Sequence, residues 1–497
     1  MKRFLILLLL ALGFGPVCAQ SKSAALTALE TEINALKKYD GLKHAAWSVF
    51  VYNISESKTM AEYNSQMSLL PASIQKTITT ATALALLGSQ FRFETALEYS
   101  GNIDSLSGTL HGNLYLKGGG DPTLGSARFG KQCNADSVLN RFVRALLNAG
   151  IRHIDGALVA DESVFDPLIP RSWAWEDVGN YYACAVSGLS INENMYRLYF
   201  DAGTAIGDPA TFTGMETEIP DMKWVNLVTT GKSGSGDQVY ILGGPYTCDR
   251  ILTGTVPLGK KHFDVDGAIP DPARYCGDLF LRKLIAAGIN CKNGLLLSRE
   301  ENWKGAAGLQ DTLKRQNLAT HYSPDLSEIV YYTNLKSLNL FAEAMLKMTG
   351  LKQGGYGSTV KGTEAIEAYW VSRGIDWKGM ELYDGSGLSR KNRITASALG
   401  RILAQFASHK EYSVFAASFP VAGKSGNMSS LLKGTVAENN LIAKTGTMDG
   451  VRSFAGYVKS LGGDDLCFVI IMNQFTCTPS EIRSQCASLM QKIAELD

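Results

Sequence analysis

Residues 440–459 read NLIAKTGTMDGVRSFAGYVK, and the reading of this stretch decides the fold. Asn440 to Thr447 and Val451 to Lys459 read as two strands. The link Met448-Asp449-Gly450 between them is short enough for a hairpin turn. Leu466 to Asn473 reads as a third strand and Ser480 to Leu496 as a closing helix. At the other end, residues 22–38 carry Leu26, Leu29, Ile33 and Leu36 at helical spacing. Ala46 to Ile54 is rich in β-branched and aromatic residues and reads as a strand. The two ends together supply helix, strands and helix, which suits an antiparallel sheet with helices packed on it, an α+β class.

Lys444-Thr445-Gly446 lies on the first of these strands and occurs once in the chain. An edge strand binds an extended peptide by main-chain hydrogen bonds. There Lys444 offers positive charge and Thr445 a hydroxyl to a terminal carboxylate. Gly446 removes a side chain where a substrate must approach closely. Upstream, Pro71 suits the start of a helix, and Thr77 to Leu87 is Ala- and Leu-rich like a buried one. Ser73 and Lys76 are three apart at its start, so they share one face. A buried, neutral Lys76 can take the Ser73 proton. Spacing alone says little, because Ser-x-x-Lys also occurs at Ser55 to Lys58, Ser358 to Lys361 and Ser430 to Lys433. Ser337-Leu338-Asn339 precedes a predicted helix from Leu340 to Met348. Seen alone, it is an ordinary helix cap.

Jointly, the three motifs occur in the order Ser-x-x-Lys, Ser-x-Asn, Lys-Thr-Gly, the set of penicillin-recognising serine acyl-transferases. Further blocks accompany them: Leu70-Pro71-Ala72-Ser73, Lys117 to Leu124, Tyr383 to Arg390 and Ala443 to Thr447. On these residues the chain resembles low-molecular-mass penicillin-binding proteins of the D-alanyl-D-alanine carboxypeptidase/endopeptidase type, peptidase family S13. The resemblance implies a penicillin-binding serine transpeptidase/β-lactamase-like catalytic domain. It implies Ser73, Lys76, Ser337 and Asn339 as catalytic residues and Lys444, Thr445, Gly446 and Thr447 as substrate-binding ones. Ser337 would relay a proton between Lys76 and the leaving group, and Asn339 would hold the substrate amide and Lys76. The N–H groups of Ser73 and Thr447 would form an oxyanion hole. The implied partners are peptidoglycan stem peptides, with β-lactam antibiotics as inhibitors and no cofactor. Gly426-Asn427-Met428 departs from the Gly-Thr-Leu type segment expected there. Two rival readings stay open on sequence: a β-lactamase or esterase on the same scaffold, and a non-catalytic wall-binding protein. Asp384-Gly385-Ser386-Gly387 reads as a tight turn near the site, not as a second nucleophile.

Ser337 follows Lys76 by 261 positions (337 − 76), far more than a single-domain member needs. The surplus predicts an inserted module of one or two smaller domains. The expected organisation is a signal peptide at 1–19, catalytic segments at 20–95 and 316–497, and inserted domains at 96–315. A nested subdomain is expected at about 196–254. Within the insertion, Leu110 to Leu116 and Ala157 to Ala160 read as strands, and Leu139 to Leu147 and Leu279 to Ala286 as helices.

Lys2 and Arg3, an apolar run from Phe4 to Phe14, and Val17-Cys18-Ala19 have the form of an export signal cut before Gln20. Bulky Val17 disfavours a lipid anchor at Cys18. The mature chain is therefore expected to be exported to the periplasm, with no transmembrane segment. Removing Lys2 and Arg3 from the 48 basic side chains leaves 46 against 47 acidic ones. That balance lacks the basic footprint of a nucleic-acid partner. No Cys-x-x-Cys or His-Glu-x-x-His is present, so no metal site is expected. Of the 9 cysteines, 8 remain after the cut and read as scattered core thiols with one or two bridges.

Overall fold

The computed structural model describes residues 23–216, 218–303 and 314–497. The signal read at 1–19, including Cys18, lies outside the described residues. Helix α1 (Ala24–Leu36) is followed by strands β1 (Ala46–Asn53) and β2 (Lys58–Tyr63) and helix α2 (Lys76–Leu87). After the long insertion come helix α3 (Asn339–Gly354) and strands β3 (Ile442–Met448), β4 (Val451–Lys459) and β5 (Asp465–Asn473). Helix α4 (Pro479–Ala494) closes the chain.

The five strands form one antiparallel sheet in the order β3-β4-β5-β1-β2. Its period-two pattern sorts residues onto two buried faces. Trp47, Val49 and Val51 of β1 join Phe468, Ile470 and Met472 of β5 under α1 and α4. Phe50 and Tyr52 join Cys467, Val469 and Ile471 against the central helices. Each such side chain taken from water contributes about 1.5–3 kcal/mol. The Ser23 side chain caps α1 through the Leu26 N–H, and a capping box of Thr478 and Glu481 starts α4. Met448 pairs with Val451 across Asp449 and Gly450, the latter at φ 67°, so the expected hairpin is present.

The insertion, together with the strands at its two ends, Glu94–Tyr99 and Gln316–Tyr322, builds four further sheets. The largest contains Leu295–Leu297, Leu158–Asp161, Leu114–Gly118, Glu94–Tyr99 and Gln316–Tyr322. Strands between Met195 and Ala268 form a three-stranded and a four-stranded sheet. One apolar core, from Leu97 to Leu297, runs under all of them. The predicted helices at 139–147 and 279–286 lie within Ala135–Asn148 and Pro272–Ala286. Leu110 to Leu116 is not one strand. It splits into Thr109–His111 and Leu114–Gly118, which belong to different sheets. Gly112 makes the break, pressed so closely on the Ser100 carbonyl that a Cβ there would sit 2.0 Å from its oxygen. All eight cysteines of the described residues are free, six of them buried, so the expected bridges do not form. No helix among the described residues is long and apolar enough to cross a membrane.

Candidate active site

Ser73 does not sit in the α-helix proper but in a 3-10 turn, Ala72–Gln75, that feeds α2. Ala72 enters this turn at φ 50°, a left-handed conformation costly for a residue with a Cβ. The turn leaves Ser73 half-buried at the cleft and Lys76 fully buried behind it. Lys76 Nζ reaches Ser73 Oγ at 3.1 Å, Asn339 Oδ1 at 2.6 Å and the Ser386 carbonyl at 2.6 Å. Burial lowers the Lys76 amine to about 7, while Asp384 and Glu343 pull it the other way.

Ser337 ends the helix before α3 in a left-handed conformation, φ 61°. Leu338 stands at the cap of α3, with no side-chain cap hydrogen bond. The motif is therefore not the ordinary helix cap that it resembles in isolation. Its side chains turn to the cleft instead. Asn339 accepts from Lys76 and donates through Nδ2 to the Tyr182 carbonyl at 2.6 Å. Ser337 Oγ meets Lys444 Nζ at 3.0 Å.

Lys444, Thr445, Gly446 and Thr447 lie on β3, at the edge of the sheet. The outer side of β3 is bridged at Ile442 by Val421, and further along Thr447 and Met448 line the cleft. Lys444 is buried, and its amine is held well below the usual lysine range by burial and then by the Lys76 charge. A Cβ at Gly446 would fall 2.1 Å from Ser453 Oγ, 2.7 Å from the Pro71 carbonyl and 3.1 Å from the Ser73 nitrogen. Only a bare backbone lets the strand and the serine turn meet this closely. The Thr445 hydroxyl accepts from Asn427 Nδ2 at 3.3 Å, so the departing Gly-Asn-Met segment still reaches the strand. All eight residues singled out from sequence are brought to one place.

Sequence reasoning missed the groups beneath them. Glu343, one helical turn after Asn339, is fully buried and accepts the N–H groups of Gly385 (2.9 Å) and Ser386 (2.7 Å). It thereby fixes the turn whose Ser386 carbonyl holds Lys76. Burial, and then the Asp384 charge, raise Glu343 to about 7. Asp384 is itself held by Trp173 Nε1 of the insertion at 2.9 Å. The available signal was a Glu and a Lys, Glu343 and Lys347, four apart among the otherwise apolar residues from Leu340 to Met348. Lys347 Nζ binds Asp166 Oδ1 of the insertion at 2.6 Å. The cleft encloses about 630 Å³, with Tyr182, Met195 and Tyr240 of the insertion facing Ser73, Asn339 and Thr447.

A family model described as the D-Ala-D-Ala carboxypeptidase 3 (S13) family matches residues 29–493. The chain belongs to the D-Ala-D-Ala carboxypeptidase 3 (S13) family. As an S13 member it is a serine-type carboxypeptidase and a peptidoglycan D,D-peptidase. It is 30% identical over 478 residues to a D-alanyl-D-alanine carboxypeptidase of Actinomadura sp. (strain R39), covering 93% of this chain and 84% of that protein. It is 27% identical over 444 residues to the D-alanyl-D-alanine carboxypeptidase DacB of Haemophilus influenzae, covering 88% of each. The crystal structure of penicillin binding protein 4 from Haemophilus influenzae superposes with a TM-score of 0.77 at 26% identity, over 93% of this chain and 98% of that one. The same protein has been solved in complex with a β-lactam.

Proposed function

We propose that Ser73 is the nucleophile of an exported, periplasmic D,D-peptidase that cleaves D-Ala-D-Ala ends or D-Ala cross-links of peptidoglycan. The observation that carries this reading is the fully buried Lys76 amine, 3.1 Å from Ser73 Oγ and tuned down to about 7. Neutral Lys76 takes the Ser73 proton as Oγ bonds to the D-alanyl carbonyl carbon. The N–H groups of Ser73 and Thr447 receive the oxyanion. The C–N bond then breaks, and the leaving amine takes a proton delivered through Ser337. Water, giving its proton to Lys76, hydrolyses the Ser73 ester and frees the enzyme. Lys444 and Thr445 hold the terminal carboxylate of the substrate.

Penicillin acylates the same serine and leaves it slowly. The β-lactam complex of the Haemophilus influenzae protein supports this reading. The family placement supports the peptidase over the β-lactamase, esterase and non-catalytic alternatives. The same proposal divides the chain into catalytic segments at 20–95 and 316–497 around inserted domains, with a nested unit at about 196–254.

Intact-mass measurement after penicillin treatment tests the assignment. Wild type gains one adduct and Ser73→Ala none. An adduct mapped to another residue, or one that persists in Ser73→Ala, overturns it.

A further inference from the structure

A second groove of about 590 Å³ opens directly off the catalytic cleft. Arg128, Glu193, Met195 and Asp266 line both, so the two are continuous. Each alone is of the size that takes a small ligand, roughly 300–1,000 Å³. The groups assigned to the chemistry, from Ser73 to Thr447, all belong to the first cleft or lie directly behind it. Release of a single D-alanine therefore leaves the second groove without a task.

The wall between the two cavities is held by backbone and side chain together. Asn192, Glu193 and Asn194 follow one another at φ 54°, 54° and 53°, a left-handed run that Asn tolerates and Glu rarely adopts. This run turns Glu193 into the wall shared by the two cavities. Ser126 Oγ (2.5 Å) and Arg128 Nε (2.8 Å) lock its carboxylate there. Arg197 forms a two-point pair with Asp266, the other acid common to both cavities, Nε to Oδ1 at 2.7 Å and Nη2 to Oδ2 at 3.1 Å.

The lining carries both signs, held as the ion pairs Arg128–Glu193 and Arg197–Asp266, with Glu216 beside them. A peptide that bears both ammonium and carboxylate groups matches such a wall. A sugar chain does not, because the one aromatic ring that lines the groove among the described residues, Tyr196, is only 4% exposed. A cross-linked substrate differs from a single stem peptide in having a second peptide, which needs room continuous with Ser73. We propose that this groove holds the second peptide of a cross-linked wall substrate, a reading that rests on the serine peptidase mechanism above.

Two variants test it. Ala127→Trp fills the groove from an exposed position on its wall, and Arg197→Ala removes the cation paired with Asp266. Both are to be assayed on a purified cross-linked muropeptide dimer, on a monomeric pentapeptide and with penicillin, after thermal melting shows them folded. Dimer cleavage should fall about tenfold or more, as expected when remote binding energy is lost. Release of D-alanine from the monomer and acylation by penicillin should stay within about twofold. Equal losses on dimer and monomer, or undiminished dimer cleavage with intact acylation, overturn the groove assignment alone. A wild-type enzyme that gains no adduct at Ser73 overturns the mechanism and the groove reading together.

Discussion

Ser337 Oγ lies 3.0 Å from Lys444 Nζ, so the middle motif is tied to the strand lysine through its serine and to Lys76, at 2.6 Å, through Asn339. The two halves of Ser-Leu-Asn thus serve different amines. In the proposed mechanism Ser337 passes the proton to the departing nitrogen, with Lys444 beside it. Ser337→Ala should therefore lower the rate of acylation by a D-alanyl peptide by about 10²-fold, the usual worth of a positioned proton donor. Penicillin acylation, read by stopped-flow fluorescence, should fall in parallel. A wild-type rate with both would remove Ser337 from the proton path.

Lys76 predicts the pH profile. Its amine sits at about 7 in the folded protein because of burial, against 10.5 when exposed. Only the neutral form accepts a proton, so acylation should rise with pH through about 7 and level off above it. Arg cannot give up its proton at working pH, so Lys76→Arg should abolish acylation while the protein stays folded. Near-normal acylation of Lys76→Arg would end the general-base role even with Ser73 confirmed.

The same shift has a consequence for stability. Between about 7 and 10.5 the unfolded chain binds the Lys76 proton and the folded chain does not, so stability rises with pH there. Below about 7 the folded protein bears the full cost of a buried charge. Lys444, lowered in the same direction, adds to this trend. Lys76→Met also leaves Asn339 Oδ1 and the Ser386 carbonyl without their donor, a loss that does not vary with pH. The stability difference between Lys76→Met and wild type should therefore shift steadily in favour of wild type from about pH 7 to 10.5. Urea melts across that range read it, and a difference that does not change with pH would contradict it.

The sheet and the motif helices were legible in the sequence because their apolar residues follow one clear period. β1 alternates between two buried faces, and α1 repeats Leu29, Ile33 and Leu36. Three features were not legible. The break at Gly112 depends on the Ser100 carbonyl pressed against it, a contact no local pattern records. The cleft wall comes from residues 181–195, held to α3 by the Asn339 bond to the Tyr182 carbonyl across 157 positions. Glu343 looks like an ordinary helix former, and only burial beside the Asp384 turn gives it a role.

Glu343 allows charge and anchoring to be separated. Its negative charge raises the Lys76 amine against the effect of burial. Glu343→Gln keeps one carbonyl oxygen for the Gly385 and Ser386 N–H groups and drops the charge. The rising limb of the acylation profile should then move to lower pH with most of the plateau retained. Glu343→Ala leaves both N–H groups buried without an acceptor, at about 1–3 kcal/mol each. That variant should lose stability in urea melts and also lose plateau activity, because the Ser386 carbonyl no longer holds Lys76. Identical profiles for the two variants would show that Glu343 acts through packing alone.

Gly446→Ala tests how closely the strand and the serine turn must meet. The new methyl would displace Ser453 Oγ from its 2.6 Å bond to the Pro71 carbonyl and press on the Ser73 nitrogen, one of the two proposed oxyanion donors. Overpacking of this kind costs about 1–3 kcal/mol. Loss of one oxyanion donor lowers kcat by about 10²–10³-fold. The expected variant is folded, modestly destabilised in a thermal melt, and slow to acylate with both penicillin and a D-alanyl peptide. The neighbouring Thr445→Ser keeps the hydroxyl and adds no bulk, so its acylation should stay within about threefold of wild type. If Gly446→Ala acylated as fast as Thr445→Ser, the oxyanion donor would have to be sought away from the Ser73 turn.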